Sequence, residues 1–212
     1  MLTANDSPLY ILSRPANVQP PEQITLMLHG WTGDEHSMEV FARGLSHSYW
    51  LLFPRGPLAA PGGGYSWAPP RETDWPDLEK FVPAAHQLMA QVDRLLEAAG
   101  MPGHTLNAAG FSQGAAMVYA LAVLFPQRFS LCGALSGFFP QLSNGYTLSS
   151  NWSSMRFYIS HGTQDETVPV EKGRDAARLV GAAGAQVQYC ESQTGHRLGL
   201  DCFRGLTAFL TA

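Results

Sequence analysis

The chain has 212 residues, 45% hydrophobic and 14% charged, which is enough apolar material to bury a sizeable core and too much for a disordered or fibrous chain. Its net charge of -4 comes from 17 acidic and 13 basic residues spread along the sequence without phosphate-tracking basic clusters, so no nucleic acid partner is expected. The opening MLTANDSPLYILSRP has no basic n-region, and no segment reaches the roughly 18 consecutive apolar residues of a span, so the expectation is a soluble cytoplasmic protein without stable membrane insertion.

In chain order, ITLMLHG (24–30) and YWLLFP (49–54) are apolar runs of strand length. A long helical pattern follows over 76–100, with Leu78, Phe81, Val82, Leu88, Val92, Leu95 and Leu96 on one face and Gly100 as its stop. TLNAAGF (105–111) reads as a strand that passes through Ser112 directly into a helix-like apolar stretch. Further strands are read at LCGALSG (131–137), MRFYISHG (155–162) and AQVQYCE (185–191), with helices at 170–184 and 201–210. No repeat or linker divides the chain, so a single domain over 1–212 is expected. Strands that are apolar on both faces and alternate with helices predict an α/β fold: a mostly parallel central sheet with helices on both faces. The odd set Cys132, Cys190 and Cys202 lacks C-x-x-C spacing, and two of the three lie in apolar runs, which points to buried thiols rather than a disulfide or a metal site.

Ligands of such sheets gather at the carboxyl ends of the strands. After 105–111 the chain reads Gly110-Phe111-Ser112-Gln113-Gly114, a G-x-S-x-G between a predicted strand and a predicted helix. That context holds a serine on a tight turn as a nucleophile, whereas the pattern alone would also suit a serine capping a helix. A serine hydroxyl needs an imidazole to take its proton and an acid to orient the imidazole. Asp165, in HGTQDETVPV, and His196, in SQTGHRLGL, stand on the loops after two later strands, in the order Ser, Asp, His. Taken alone, the aspartate could be a turn or cap residue and the histidine one of seven; the agreement of three loops favours a triad.

An oxyanion requires two backbone N–H donors. Gln113 supplies one, and the loop LMLHGWTGDEHS offers the amide of Trp31 as the second. His29 is read as fixing this loop through its ring, His36 as a cap or lining residue with structural roles favoured, and His161 as architectural.

These segments, LMLHGWTGDEHSM, FPRGP, GFSQGAAM, SHGTQDETVPV and TGHRLG, occur in family order from about residue 24 to the end, and by them the chain resembles the phospholipase/carboxylesterase family of α/β-hydrolases, small esterases related to acyl-protein thioesterases. The resemblance implies the α/β-hydrolase fold without a large lid domain, Ser112, Asp165 and His196 as triad, and the amides of Trp31 and Gln113 as oxyanion hole. FPRGPLAAPGGGYSWAPP replaces the histidine-proline loop of the thioesterase members and is closer to the bacterial esterase branch. The activity so implied is hydrolysis of small or medium-chain acyl esters; a thioesterase of the same mechanism and a non-catalytic ligand-binding protein on the scaffold are the alternatives. Trp67, Trp75, Phe138, Phe139 and Leu198 are candidates for the acyl pocket, with ordinary packing as the competing role. Trp67 in particular either folds over the pocket or pins the loop of residues 56–76, where Gly62-Gly63-Gly64 would be a hinge. No metal-ligand spacing or phosphate-binding glycine loop is present, so no cofactor is expected, and the partner is a small-molecule ester; monomer and homodimer both stay open.

Overall fold

Alternation along the apolar runs decides the layering, because successive side chains of a strand point to opposite faces. In β2 (Gln23–Leu28), Leu26 and Leu28 join one core while Met27 joins the other; in β3 (Tyr49–Pro54), Leu52 is divided in the same way from Leu51 and Phe53. The computed structural model describes residues 9–70, 75–143, 145–148 and 152–212, so residues 1–8 of the N-terminal segment and 71–74 of the Pro- and Gly-rich loop lie outside the described residues.

The remaining strands of the main sheet are β1 (Ile11–Arg14), β6 (Leu106–Phe111), β7 (Phe129–Leu135), β8 (Arg156–Gly162) and β9 (Gln186–Ser192); β4 (Leu58–Ala59) and β5 (Tyr65–Ser66) form a separate two-stranded ribbon. Among the described residues the main sheet runs β1-β3-β2-β6-β7-β8-β9, parallel throughout except for the antiparallel β1. The chain moves outward from β2 to β3 and later returns to the other side of β2 with β6, so the order reverses between β2 and β6. A crevice opens at such a reversal, outside the carboxyl ends of the two strands.

Helices α1 (Leu78–Ala98), α2 (Gln113–Leu124), α3 (Val170–Ala182) and α4 (Leu200–Leu210) complete the layers. The α1 helix begins at the Asp77 cap, whose carboxylate accepts from the Lys80 N–H, and gives way to Gly100, at φ +74°. Its apolar stripe is buried except for Val82 and Leu95, which are partly so; Phe81 and Leu88 are fully enclosed, each worth about 1.5–3 kcal/mol relative to exposure. The α2 helix is apolar on every side because the sheet covers one face and α1 packs on the other. On the opposite face of the sheet, Leu206, Phe209 and Leu210 of α4 close the second core over Met27, Leu51 and Ala109.

The structure adds a strand, places a glycine turn and corrects one expectation. β1 is a strand that no periodicity announces: four residues, mostly half-buried, added to the edge at β3 with Ile11 opposite Pro54. The three glycines at 62–64 join β4 to β5, all at positive φ, and a Cβ on Gly64 would lie 2.0 Å from the Thr32 carbonyl oxygen. Cys190 and Cys202 are joined in a disulfide, because α4 packs back on the edge strand β9 and brings the two Cα atoms to 5.7 Å; Cys132 stays a buried free thiol whose pKa burial pushes up. Unfolded without reductant, the protein is therefore expected to take up one carbamidomethyl group from iodoacetamide by mass, and three after reduction. Three groups without reductant would show both cysteines as thiols, the state a reducing cytoplasm maintains.

Candidate active site

β6 and α2 meet at Ser112 with no intervening loop. Such a turn forces the serine to φ 56° and ψ -116°, a region that costs of order 1–3 kcal/mol for a residue with a side chain. The flanking glycines permit it: a Cβ on Gly110 would lie 2.2 Å from the Gly114 carbonyl oxygen, and one on Gly114 would lie 2.1 Å from that of Leu28. The Ser112 N–H donates to the Leu135 carbonyl at 2.8 Å, and the serine hydroxyl stands free of the helix cap.

His196 lies between β9 and α4 and Asp165 between β8 and α3, and backbone bonds sew their loops together: Thr163 N–H to Ser192 O at 2.8 Å and Gln164 N–H to Thr194 O at 3.0 Å. A Cβ on Gly162 would be 2.3 Å from both Thr194 O and Gly195 O, so only glycine allows this approach. The result is a continuous relay. Ser112 Oγ lies 3.0 Å from His196 Nε2, and His196 Nδ1 lies 2.7 Å from Asp165 Oδ2. Asp165 Oδ1 accepts from the N–H groups of Thr167 and Val168, each at 2.9 Å, which fixes the carboxylate plane and leaves Oδ2 for the imidazole. With Nδ1–H directed at the carboxylate, Nε2 carries the lone pair that can take a proton from Ser112. The Phe111 ring supports the imidazole at 4.9 Å between centroids.

Trp31 and Gln113 line the same cavity as Ser112, and neither backbone N–H is engaged in a hydrogen bond among the described residues. Gln113 also opens α2, whose N-terminus favours negative charge. The cavity, of about 340 Å³, is walled by Trp75, Phe138 and Val168, with Pro70, Pro76 and Thr167 completing it; Trp75 and Phe138 meet at 4.7 Å. Sequence reasoning missed Thr167 and Val168, although their place directly after the acid in DETVPV was the available signal.

Three expected wall residues are elsewhere. Phe139 packs on Tyr119 at 5.0 Å, and Leu198 is partly buried against the second core, as Phe41 and Phe111 are. Trp67 is fully buried and bonded to the loop after β2, so of its two sequence readings the pinning one is observed.

Three histidines outside the relay, His29, His161 and His36, serve architecture. His29 Nε2 accepts from the Gly56 N–H at 2.8 Å, so Nδ1 carries the proton and donates to Gly30 O at 2.7 Å. His161 donates from Nε2 to Val168 O at 2.8 Å beneath the acid, and His36 pairs with Glu39 at the surface. Burial lowers the pKa of both His29 and His161, and the Arg55 guanidinium, held between the rings of Tyr10 and Tyr65, pulls Glu35 from 4.5 to about 2. A lowered histidine pKa means that the fold favours the neutral ring: its contribution is complete above the unfolded value of about 6.5 and is lost as pH falls. Glu35 acts in the same direction over a lower window, complete above 4.5 and lost toward pH 2. Tm is therefore expected to fall continuously on acidification from neutral pH, and the Glu35→Gln protein, less stable at pH 7, should converge on the wild type only as pH approaches 2. A gap that stays constant with pH would remove the ion pair as the cause.

The chain is similar to acyl-protein thioesterase 1 of Eremothecium gossypii, 27% identical over 169 residues that cover 73% of this chain and 71% of that protein. It is also similar to a probable inactive carboxylesterase of Oryza sativa subsp. japonica, 28% identical over 124 residues, 58% of this chain. The matched part spans about half, 49%, of the rice protein's length. The Bacillus cereus carboxylesterase structure superposes with a TM-score of 0.85 at 17% identity, covering 97% of this chain and 95% of that one, a likeness that bears on the fold. The family model for phospholipase/carboxylesterase matches residues 15–212, a segment holding every residue of the relay and both free amides, and the chain belongs to that family.

Proposed function

We propose that the protein is a serine carboxylic-ester hydrolase that acts on small or medium-chain acyl esters through an acyl-enzyme intermediate. The observation that carries this reading is the relay: 3.0 Å from Ser112 Oγ to His196 Nε2 and 2.7 Å from His196 Nδ1 to Asp165 Oδ2, beside two free amides. His196 takes the Ser112 proton as Oγ attacks the carbonyl carbon, and the oxyanion that forms is met by the N–H groups of Trp31 and Gln113. Asp165 stabilises the imidazolium. His196 then returns the proton to the departing alcohol, and water repeats the cycle on the acyl-serine to release the acid. A thioester follows the same path with a thiol leaving group, so the thioesterase reading differs only in substrate.

Hydrolysis of p-nitrophenyl acetate and octanoate by the purified protein tests the proposal, with steady turnover expected. The rice relative's name motivates the second reading, a ligand-binding protein on the hydrolase scaffold. Saturable binding of esters without product would establish that reading and overturn the first.

Chain length should be read by Trp75. Its ring walls the cavity against Phe138, so Trp75→Ala removes apolar contact mostly from longer acyl chains. kcat/KM is expected to fall more for octanoyl than for acetyl esters, by about 1–2 kcal/mol of differential binding. An equal loss at both lengths would take Trp75 out of the acyl wall.

A further inference from the structure

The two proposed oxyanion donors come from different parts of the chain, the loop after β2 and the first residue of α2, and nothing in either backbone alone fixes the distance between them. One residue, through its side chain and its backbone, touches both arms. The Trp67 indole Nε1–H donates to the His29 carbonyl at 2.8 Å, two residues before Trp31, and the Trp67 backbone N–H donates to Gln113 Oε1 at 2.9 Å. The Gln113 amide group reaches Ala68 O at 3.4 Å, and the Trp67 ring lies 5.0 Å from the His29 imidazole at full burial. The segment carrying Trp67 is tied to the same loop again by Gly56 N–H to His29 Nε2 at 2.8 Å and Tyr65 N–H to Gly33 O at 2.8 Å. A buried indole N–H and a buried amide are satisfied only in this arrangement, so the donors' spacing is coupled to a set of bonds that are costly to leave unmade.

We propose that Trp67 is a positioning residue that joins the two halves of the oxyanion hole and sets their separation for the tetrahedral intermediate. This rests on the hydrolase reading above. Trp67 touches neither substrate nor the reacting atoms; it acts through His29 and Gln113. Electrostatic stabilisation of this kind depends on donors placed in advance where charge develops, so a small displacement weakens the transition state while leaving the ground state nearly as well bound.

The test is Trp67→Phe, which keeps an apolar ring and the backbone bond to Gln113 but loses the indole N–H. The expected result is a kcat lower by about 10- to 100-fold with KM changed by less than about twofold. Affinity for a trifluoromethyl ketone, whose adduct carries an oxyanion, should weaken by the same factor as kcat/KM, and the pH dependence should keep its shape. Gln113→Met, which removes the side-chain clamp and keeps the donor amide, should give the same split. Combined with Trp67→Phe it should add less than the product of the single losses, because both act through one hole. The second variant also decides the matter if the first does not fold. A lower Tm with unchanged kcat and ketone affinity would leave Trp67 a packing residue only, and a rise confined to KM would make it part of the substrate wall; either overturns the proposal while the hydrolase reading stands. A wild-type protein without turnover removes both.

Discussion

Ser112→Ala is expected to leave a folded protein whose kcat for p-nitrophenyl acetate is lower by at least about a thousandfold. The alanine deletes one oxygen and keeps Cβ, so the elbow between β6 and α2, with its bond from residue 112 N–H to Leu135 O, is retained. What disappears is the atom that would form the acyl-enzyme. Binding in the apolar cavity and the two free amides remain, and these can assist attack by water only weakly. The Tm of the variant should equal or exceed that of the wild type, since the left-handed conformation at 112 is no easier for serine than for alanine and no buried partner of Oγ other than His196 is lost. Near-wild-type turnover by this variant would place the nucleophile elsewhere.

Asp165→Asn should also be severe, with a loss of about ten-thousandfold in kcat, for a reason the surrounding bonds determine. The N–H groups of Thr167 and Val168 both point at Oδ1, so the asparagine must put its carbonyl oxygen there and its NH2 group where Oδ2 had been, 2.7 Å from His196 Nδ1. An NH2 in that position requires Nδ1 to accept, which moves the ring proton to Nε2 and turns the base toward Ser112 into a donor. The fold should persist because the turn bonds are kept. His196→Ala should likewise lose most of the rate, because it removes the base that faces Ser112 Oγ at 3.0 Å. Substantial activity in a folded Asp165→Asn protein would show that the carboxylate does not set the tautomer.

Much of this site was legible because the chemistry of its backbone is written in residue type. A glycine on either side of Ser112 reports a turn that a Cβ would block, and the positions of Asp165 and His196 after successive strands follow from where a parallel sheet collects its loops. Pocket walls were less legible. Trp31, Trp75 and Phe138 line the cavity, while Trp67, Phe139 and Leu198 do not, and nothing in local sequence distinguishes them, since a large apolar side chain on a loop can turn outward to a ligand or inward to a core. For Trp67 the deciding partners, His29 O and Gln113 Oε1, lie 38 and 46 residues away. The β1 strand escaped notice because an edge strand of four residues carries too few alternations to register as a period. The Cys190–Cys202 bond escaped because its cause is the packing of α4 on β9, a tertiary fact, and it brackets the loop that carries His196.

The most direct measurement is the intact mass of the protein after treatment with a fluorophosphonate, followed by peptide mapping. A serine activated by His196 attacks phosphorus, fluoride leaves, and the phosphonyl group stays on Oγ. The expected result is one phosphonyl group per chain, located on the peptide containing Ser112, absent in Ser112→Ala and formed far more slowly in His196→Ala. An unmodified wild-type protein, or a label on any other residue, would contradict the assignment of Ser112 as an activated nucleophile.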